Sequence, residues 1–86
     1  MKLELKNKKI CKWMSEETIC FTASLYVDGK RVALVSNGGK GGAHSYYIRN
    51  HDLFAKAEEY CKTLPPEKYR DFELPMDLEL KISMML

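Results

Sequence analysis

Eighty-six residues are enough for one domain and too few for two, since compact domains run to roughly 50–200 residues. Apolar residues make up 45% of the chain and include Trp13, three Phe and five Tyr, which excludes intrinsic disorder and supplies bulk for one core. The net charge of +2 conceals a bipolar chain: residues 1–51 carry nine Lys/Arg against four Asp/Glu, and residues 52–86 carry five against eight. That pattern neutralises itself on folding before it calls for an anionic partner.

In chain order, Leu3 and Leu5 alternate with Lys2, Glu4 and Lys6, the period of a half-buried strand. The phase slips at Asn7-Lys8-Lys9, and a bulge or bend near Asn7 absorbs the extra residue before Ile10. Residues 19–27 place Ile19, Phe21, Ala23, Leu25 and Val27 on one face and Cys20, Thr22, Ser24 and Tyr26 on the other. Asp28-Gly29 then predicts a two-residue hairpin turn into a partner strand at 31–36, because both turn positions need φ > 0. A regular hairpin with that turn sets Leu25 opposite Val32, Ala23 opposite Leu34 and Tyr26 opposite Arg31.

After Asn37 the glycine-rich stretch 38–42 leads into Ala43-His44-Ser45-Tyr46-Tyr47-Ile48, an aromatic run that reads as a third or fourth strand. In strand geometry only one of Tyr46 and Tyr47 faces inward. Asn50 caps a helix over 51–64 with Leu53, Phe54, Ala57, Tyr60, Cys61 and Leu64 as its apolar stripe, and Pro65-Pro66 ends it. Residues 77–86 fit two patterns. Leu78, Leu80, Ile82 and Met84 alternate as in a strand, whereas Asp77 as a cap gives a helix burying Leu78, Ile82, Met85 and Leu86; the Leu, Glu and Lys content favours helix. The expected fold is α+β: an antiparallel sheet of three or four strands with a central Asp-Gly hairpin, packed against one main helix, with a short C-terminal helix or strand. One helix in so small a domain covers one sheet face, so Phe54, Ala57, Cys61 and Leu64 are expected against Phe21, Ala23, Leu25, Val32 and Leu34.

The glycine-rich stretch matches no phosphate-binding motif. Lys40 is followed by Gly41 instead of Ser or Thr, and position 44, where a dinucleotide fingerprint from Gly39 needs glycine, is His44. It reads first as a long flexible loop, and second as backbone N–H groups able to hold an anion or carboxylate. From residue 29 to 51 there is no acid, while Lys30, Arg31, Lys40 and Arg49 lie there with His44, Tyr46 and Tyr47. Tyr and Arg beside small residues suit a protein hot spot, and basic residues among aromatics suit single-stranded nucleic acid. The candidate partner-binding residues are therefore Gly39, Lys40, Gly41, His44, Tyr46, Tyr47 and Arg49. His44 and His51 have no standard zinc spacing with Cys11, Cys20 or Cys61, so neither metal nor cofactor is expected. Ser45 beside His44 points to the opposite face of a strand, and no general acid/base pair stands out; the expectation is no enzymatic activity.

Three cysteines without a C-x-x-C pair point to a reducing cytoplasm rather than a disulfide framework. Residues 1–12 hold five lysines and no apolar core like that of a secretory leader, and no apolar run approaches the ~20 residues of a membrane span. Ser15-Glu16-Glu17-Thr18, Cys20-Phe21-Thr22-Ala23, Tyr26-Val27-Asp28-Gly29-Lys30, Ser36-Asn37 with its glycines, and Leu64-Pro65-Pro66 together resemble small uncharacterised proteins encoded by phages and prophages. The resemblance covers most of the chain. It implies an accessory protein acting in the cytoplasm of an infected bacterium, where such proteins bind and inhibit or redirect host factors, defence systems among them. It carries over no catalytic residue. The expected partner is thus a host protein, with nucleic acid as the alternative, no membrane, and self-association left open.

Overall fold

The computed structural model describes every residue except Glu16 and Arg70. Four strands form one antiparallel sheet in sequence order: β1 (Leu3–Ile10), β2 (Phe21–Val27), β3 (Lys30–Asn37) and β4 (Ser45–Ile48). Helix α1 (His51–Lys62) follows β4. A separate small hairpin, β5 (Glu67–Tyr69) with β6 (Phe72–Leu74), comes next, and helix α2 (Leu78–Met85) ends the chain. The fold is α+β, with the C-terminal segment a helix. Among the described residues no helix is long and apolar enough to cross a membrane.

The local signals act as their chemistry requires. Asp28 and Gly29 take φ of 50° and 82°, so the β2–β3 turn has the two positive φ values that match the twist of its strands. Asn50 accepts the Leu53 amide at 3.1 Å and Asp77 accepts the Leu80 amide at 2.8 Å; each satisfies an otherwise orphaned N–H of a first helical turn. Asn7 sits at φ 56°, and the β1–β2 register slips by one residue between Lys6 and Lys9, so Asn7 and Lys8 together oppose Ala23.

A second bulge, in β3, rearranges the hairpin. Tyr26 pairs with Arg31 as expected, but Leu25 then pairs with Ala33, Ser24 with Leu34 and Ala23 with Val35. Val32 is the extra residue. From there on each β3 side chain lies on the face opposite to the one a regular hairpin gives it, because strand side chains alternate with a period of two. Leu34 therefore leaves the core and stands 38% exposed, and Val35 takes its place at 1%. The bulge also frees the Val32 carbonyl, which accepts the amides of Arg49 (2.8 Å) and Asn50 (3.1 Å) and so fixes where β4 turns into α1.

Phe21, Ala23, Leu25, Val27, Val32, Ala33 and Val35 meet Phe54, Ala57 and Cys61 of α1 and Leu78 and Ile82 of α2 in one buried cluster. Leu3 and Leu5 pack at its margin. Three apolar residues expected inside lie elsewhere. α1 ends at Lys62, leaving Leu64 half-buried; Ile19 precedes β2 and is 42% exposed; Trp13 is 84% exposed on a single 3-10 turn, Lys12–Met14. The Cα envelope measures 34 × 33 × 16 Å. Sixteen ångströms holds one sheet and one helical layer, so the far face of the sheet is left to solvent.

Candidate functional site

The seven expected site residues fall in four places, Arg49 standing apart from the rest past the end of β4. His44 and Tyr46 turn towards the helices. Edge-to-face contacts run from Phe21 to His44 (5.2 Å between ring centres), on to Tyr46 (6.5 Å) and then to Phe54 (5.3 Å), tying β2, β4 and α1 together. Glu79 of α2 closes this chain: one carboxylate oxygen accepts the His44 amide at 2.7 Å and the other accepts the Tyr46 hydroxyl at 2.5 Å. Burial, and then the adjoining Glu79 carboxylate, hold the Tyr46 phenol well above its ordinary pKa.

The His44 ring is 6% exposed and lies between Asn37 and Ser83. Asn37 Oδ1 accepts the Gly39 amide (2.9 Å) and the Thr18 hydroxyl (2.7 Å), while its Nδ2 donates to the Gly42 carbonyl (3.3 Å). Those backbone groups fix the amide's orientation, so Nδ2 also donates to His44 Nδ1 at 3.1 Å. The ring proton then sits on Nε2 and points to Ser83 Oγ at 2.8 Å, and the Ser83 hydroxyl donates to the Glu79 carbonyl at 3.1 Å. Ser83, His44 and Asn37 have the spacing of a nucleophile, base and orienter, but the proton is on the wrong nitrogen for His44 to deprotonate Ser83. The arrangement is a brace between the loop and α2.

Gly39, Lys40 and Gly41 form the second place. The Gly39 carbonyl accepts the amides of Glu17 (2.9 Å) and Thr18 (3.4 Å). Gly39 is at φ 80°, and a Cβ there would lie 2.9 Å from Cys20 Cβ and run into the Met14 carbonyl. A Cβ on Gly41, at φ 86°, would come within 2.6 Å of the Glu17 carboxylate. The glycine-rich stretch is thus tied to Met14, Glu17, Thr18 and Cys20 instead of hanging free, and the Asn37 side chain already takes the Gly39 amide, one of the N–H groups expected to meet a ligand. Lys40 projects from it, exposed.

Tyr47 lies in the third place, the open face of the sheet, 67% exposed. The pairing Lys6–Ser24–Leu34–Tyr47 crosses this face, with Lys9–Thr22–Ser36–Ser45 beside it and Glu4–Tyr26–Arg31 on the other side. Lys6 Nζ stands 4.5 Å above the Tyr26 ring. A cavity of about 440 Å³ is lined by Thr22, Leu34, Ser36, Ser45 and Tyr47. It adjoins a second of about 370 Å³ that shares Thr22 and Ser36 and reaches Lys9, Cys11 and Cys20. Arg49, exposed, follows β4 at the far end from Lys40, on the order of 15 Å away along the strand direction.

Sequence reasoning found Tyr47 and missed its surroundings. Thr22 and Lys6 were already on this face by alternation, but Leu34 and Ser36 join it only through the Val32 bulge, and Lys9 only through the Asn7 bulge. Among the described residues no group of three His, Cys, Asp or Glu side chains is placed to share a metal. Comparison with protein families, with characterised proteins and with solved structures finds no match.

Proposed function

We propose that this protein is a non-enzymatic binding module whose open sheet face docks an acidic segment of a partner protein. The carrying observation is the groove beside Tyr47 and Leu34, apolar at its centre and flanked by Lys6, Lys9 and Arg31 with Glu4 as the acid on the same face. An apolar anchor within a rim of like charge suits a partner segment that carries a large apolar side chain between acids. Charge complementarity steers the encounter and the anchor sets the lifetime. The resemblance to phage- and prophage-encoded proteins supplies the setting: a host protein in the bacterial cytoplasm, inhibited or redirected by being covered. Lys40, in the glycine-rich stretch before β4, and Arg49, just past its end, add exposed positive charge on either side of that strand.

The second reading, single-stranded nucleic acid, rests on the same cations. It is weaker because base stacking uses open ring faces, and on the sheet Tyr47 alone is more than half exposed while Tyr26 lies under Lys6. The test is capture from bacterial lysate after nuclease treatment, comparing the native protein with a Leu34→Ser/Tyr47→Ala variant, followed by titration of the recovered protein. A protein retained by the native chain, lost by the variant, and bound at least tenfold more weakly by it supports the proposal. Equal capture by both chains overturns it. Recovery of nucleic acid alone, lost on nuclease treatment and falling steeply with salt, replaces it with the second reading.

A further inference from the structure

Cys11 and Cys20 stand beyond the last paired residues of β1 and β2, Ile10 and Phe21, and continue their register. The Cys11 amide donates to the Cys20 carbonyl at 2.9 Å, so the two residues are directly opposed. Directly opposed residues of antiparallel strands have their Cα atoms roughly 4.5–5.5 Å apart, inside the range of roughly 4.4–6.8 Å over which disulfides form. Both side chains are half-buried and line the same cavity. The return hydrogen bond of the pair is absent: the Ser15 hydroxyl stands in for it, accepting from the Cys20 amide at 2.9 Å and donating to the Cys11 carbonyl at 2.8 Å. With one direct bond at the end of a ladder, the pair can adjust its separation without disturbing the sheet. Cys61 differs in kind, fully buried between sheet and α1, its thiol pushed up by burial.

We propose that Cys11 and Cys20 form a redox-responsive dithiol that closes to an intramolecular disulfide, while Cys61 remains a packed thiol. The oxidant is a small-molecule disulfide such as oxidised glutathione. One cysteine thiolate attacks a glutathione sulfur, forming a mixed disulfide and releasing the first glutathione thiolate. The second cysteine, as thiolate, attacks the protein sulfur of that mixed disulfide, forms the Cys11–Cys20 bond and expels the second glutathione. Two electrons pass from the protein to the oxidant, and the two thiol protons go to solvent or to the departing glutathiones. The bond staples the excursion from 12 to 19. That segment carries Trp13 and, through the Glu17 and Thr18 amides, holds the Gly39 carbonyl. Oxidation therefore stiffens the support of the glycine-rich stretch and the rim of the open-face groove together.

The experiment equilibrates the folded protein with oxidised and reduced glutathione over a range of ratios, blocks remaining thiols by alkylation, and maps the peptides by mass spectrometry. A single bridge between Cys11 and Cys20 within one chain is expected, with Cys61 alkylated only after unfolding. The bridged form should melt several degrees higher. Trp13 fluorescence anisotropy should rise with bridging. Cys11→Ser and Cys20→Ser variants should each stop at a lasting glutathione adduct on the surviving cysteine. Fully alkylated Cys11 and Cys20 at every ratio, a lasting glutathione adduct on the native chain, a bridge to Cys61, or a disulfide-linked dimer each overturn the proposal.

Discussion

The two faces of the main sheet are built from alternate residues of the same strands, and they obey different rules. On the covered face Phe21, Ala23, Leu25 and Val35 are all at most 3% exposed and are matched by apolar side chains of both helices. On the open face Leu34 and Tyr47 stand 38% and 67% exposed among Lys, Ser and Thr. The covered face spends its chemistry on stability, where each methylene counts. The open face keeps two large apolar side chains that the core does not use, and it is there that the proposed partner would dock.

If this division is right, substitutions should sort by face. The largest loss belongs to Phe54→Ala, which empties the middle of the covered cluster and removes the ring next to Tyr46. A cost of roughly 3–5 kcal/mol is expected, enough to leave so small a domain largely unfolded in a denaturant titration. A melting curve like that of the native chain would show the cluster to be misassigned. Gly39→Ala comes next. Its positive φ and the collision with Met14 and Cys20 should cost roughly 2–4 kcal/mol, although only one methyl group is added on a loop.

Tyr46→Phe keeps the ring and removes the hydrogen bond to Glu79, for an expected loss of about 1–2 kcal/mol. It also carries a pH signature. The folded state raises the Tyr46 pKa, so the unfolded chain loses that proton more readily, and this group's stabilisation is complete below its unfolded pKa near 10 and lost as pH rises above it. The native protein should therefore lose stability more steeply than Tyr46→Phe above about pH 10. Parallel profiles of melting temperature against pH would dissociate Tyr46 from alkaline unfolding. The smallest effect on folding is expected for Lys40→Ala/Arg49→Ala, within about 0.5 kcal/mol, because both side chains are exposed. The same pair should weaken partner binding by tenfold or more in a titration, roughly 1.4 kcal/mol. Unchanged affinity with unchanged stability would remove both ends of β4 from the recognition surface.

The parts of this fold that were legible in the sequence are those decided within a few residues. Asp28-Gly29, the Asn50 and Asp77 caps and the slip at Asn7 each announce a backbone geometry through the one or two residue types that tolerate it. The Val32 bulge gave no such sign. Val32-Ala33-Leu34-Val35 is a continuous apolar run with no period to break, so the face of Leu34 was set by contacts distant in sequence, with Arg49 and Asn50 bonding to the Val32 carbonyl. The hairpin of β5 and β6 was equally silent, with strands of three residues and an exposed Phe72. At the candidate site the same limit holds. Alternation showed that Tyr46 and Tyr47 part company, but that His44 and Tyr46 meet Glu79, 35 and 33 residues further along, depends on how α2 crosses the sheet.

The Asn7 bulge has a bearing on the company the molecule keeps. An open four-stranded sheet exposes two edges whose free amides and carbonyls invite further strands, its own copies included. β4 offers a lip of only four residues. β1 is twice as long, and there the bulge bends the rail out of true, while Lys2, Lys6, Lys8 and Lys9 crowd it with positive charge. Lys8 is drawn the other way, its ammonium resting on the Met85 carbonyl at the tail of α2. A second β1 laid alongside would meet kink against kink and lysine against lysine. The irregularity that looks like a flaw in the strand is one of the devices by which sheet edges resist pairing with further copies.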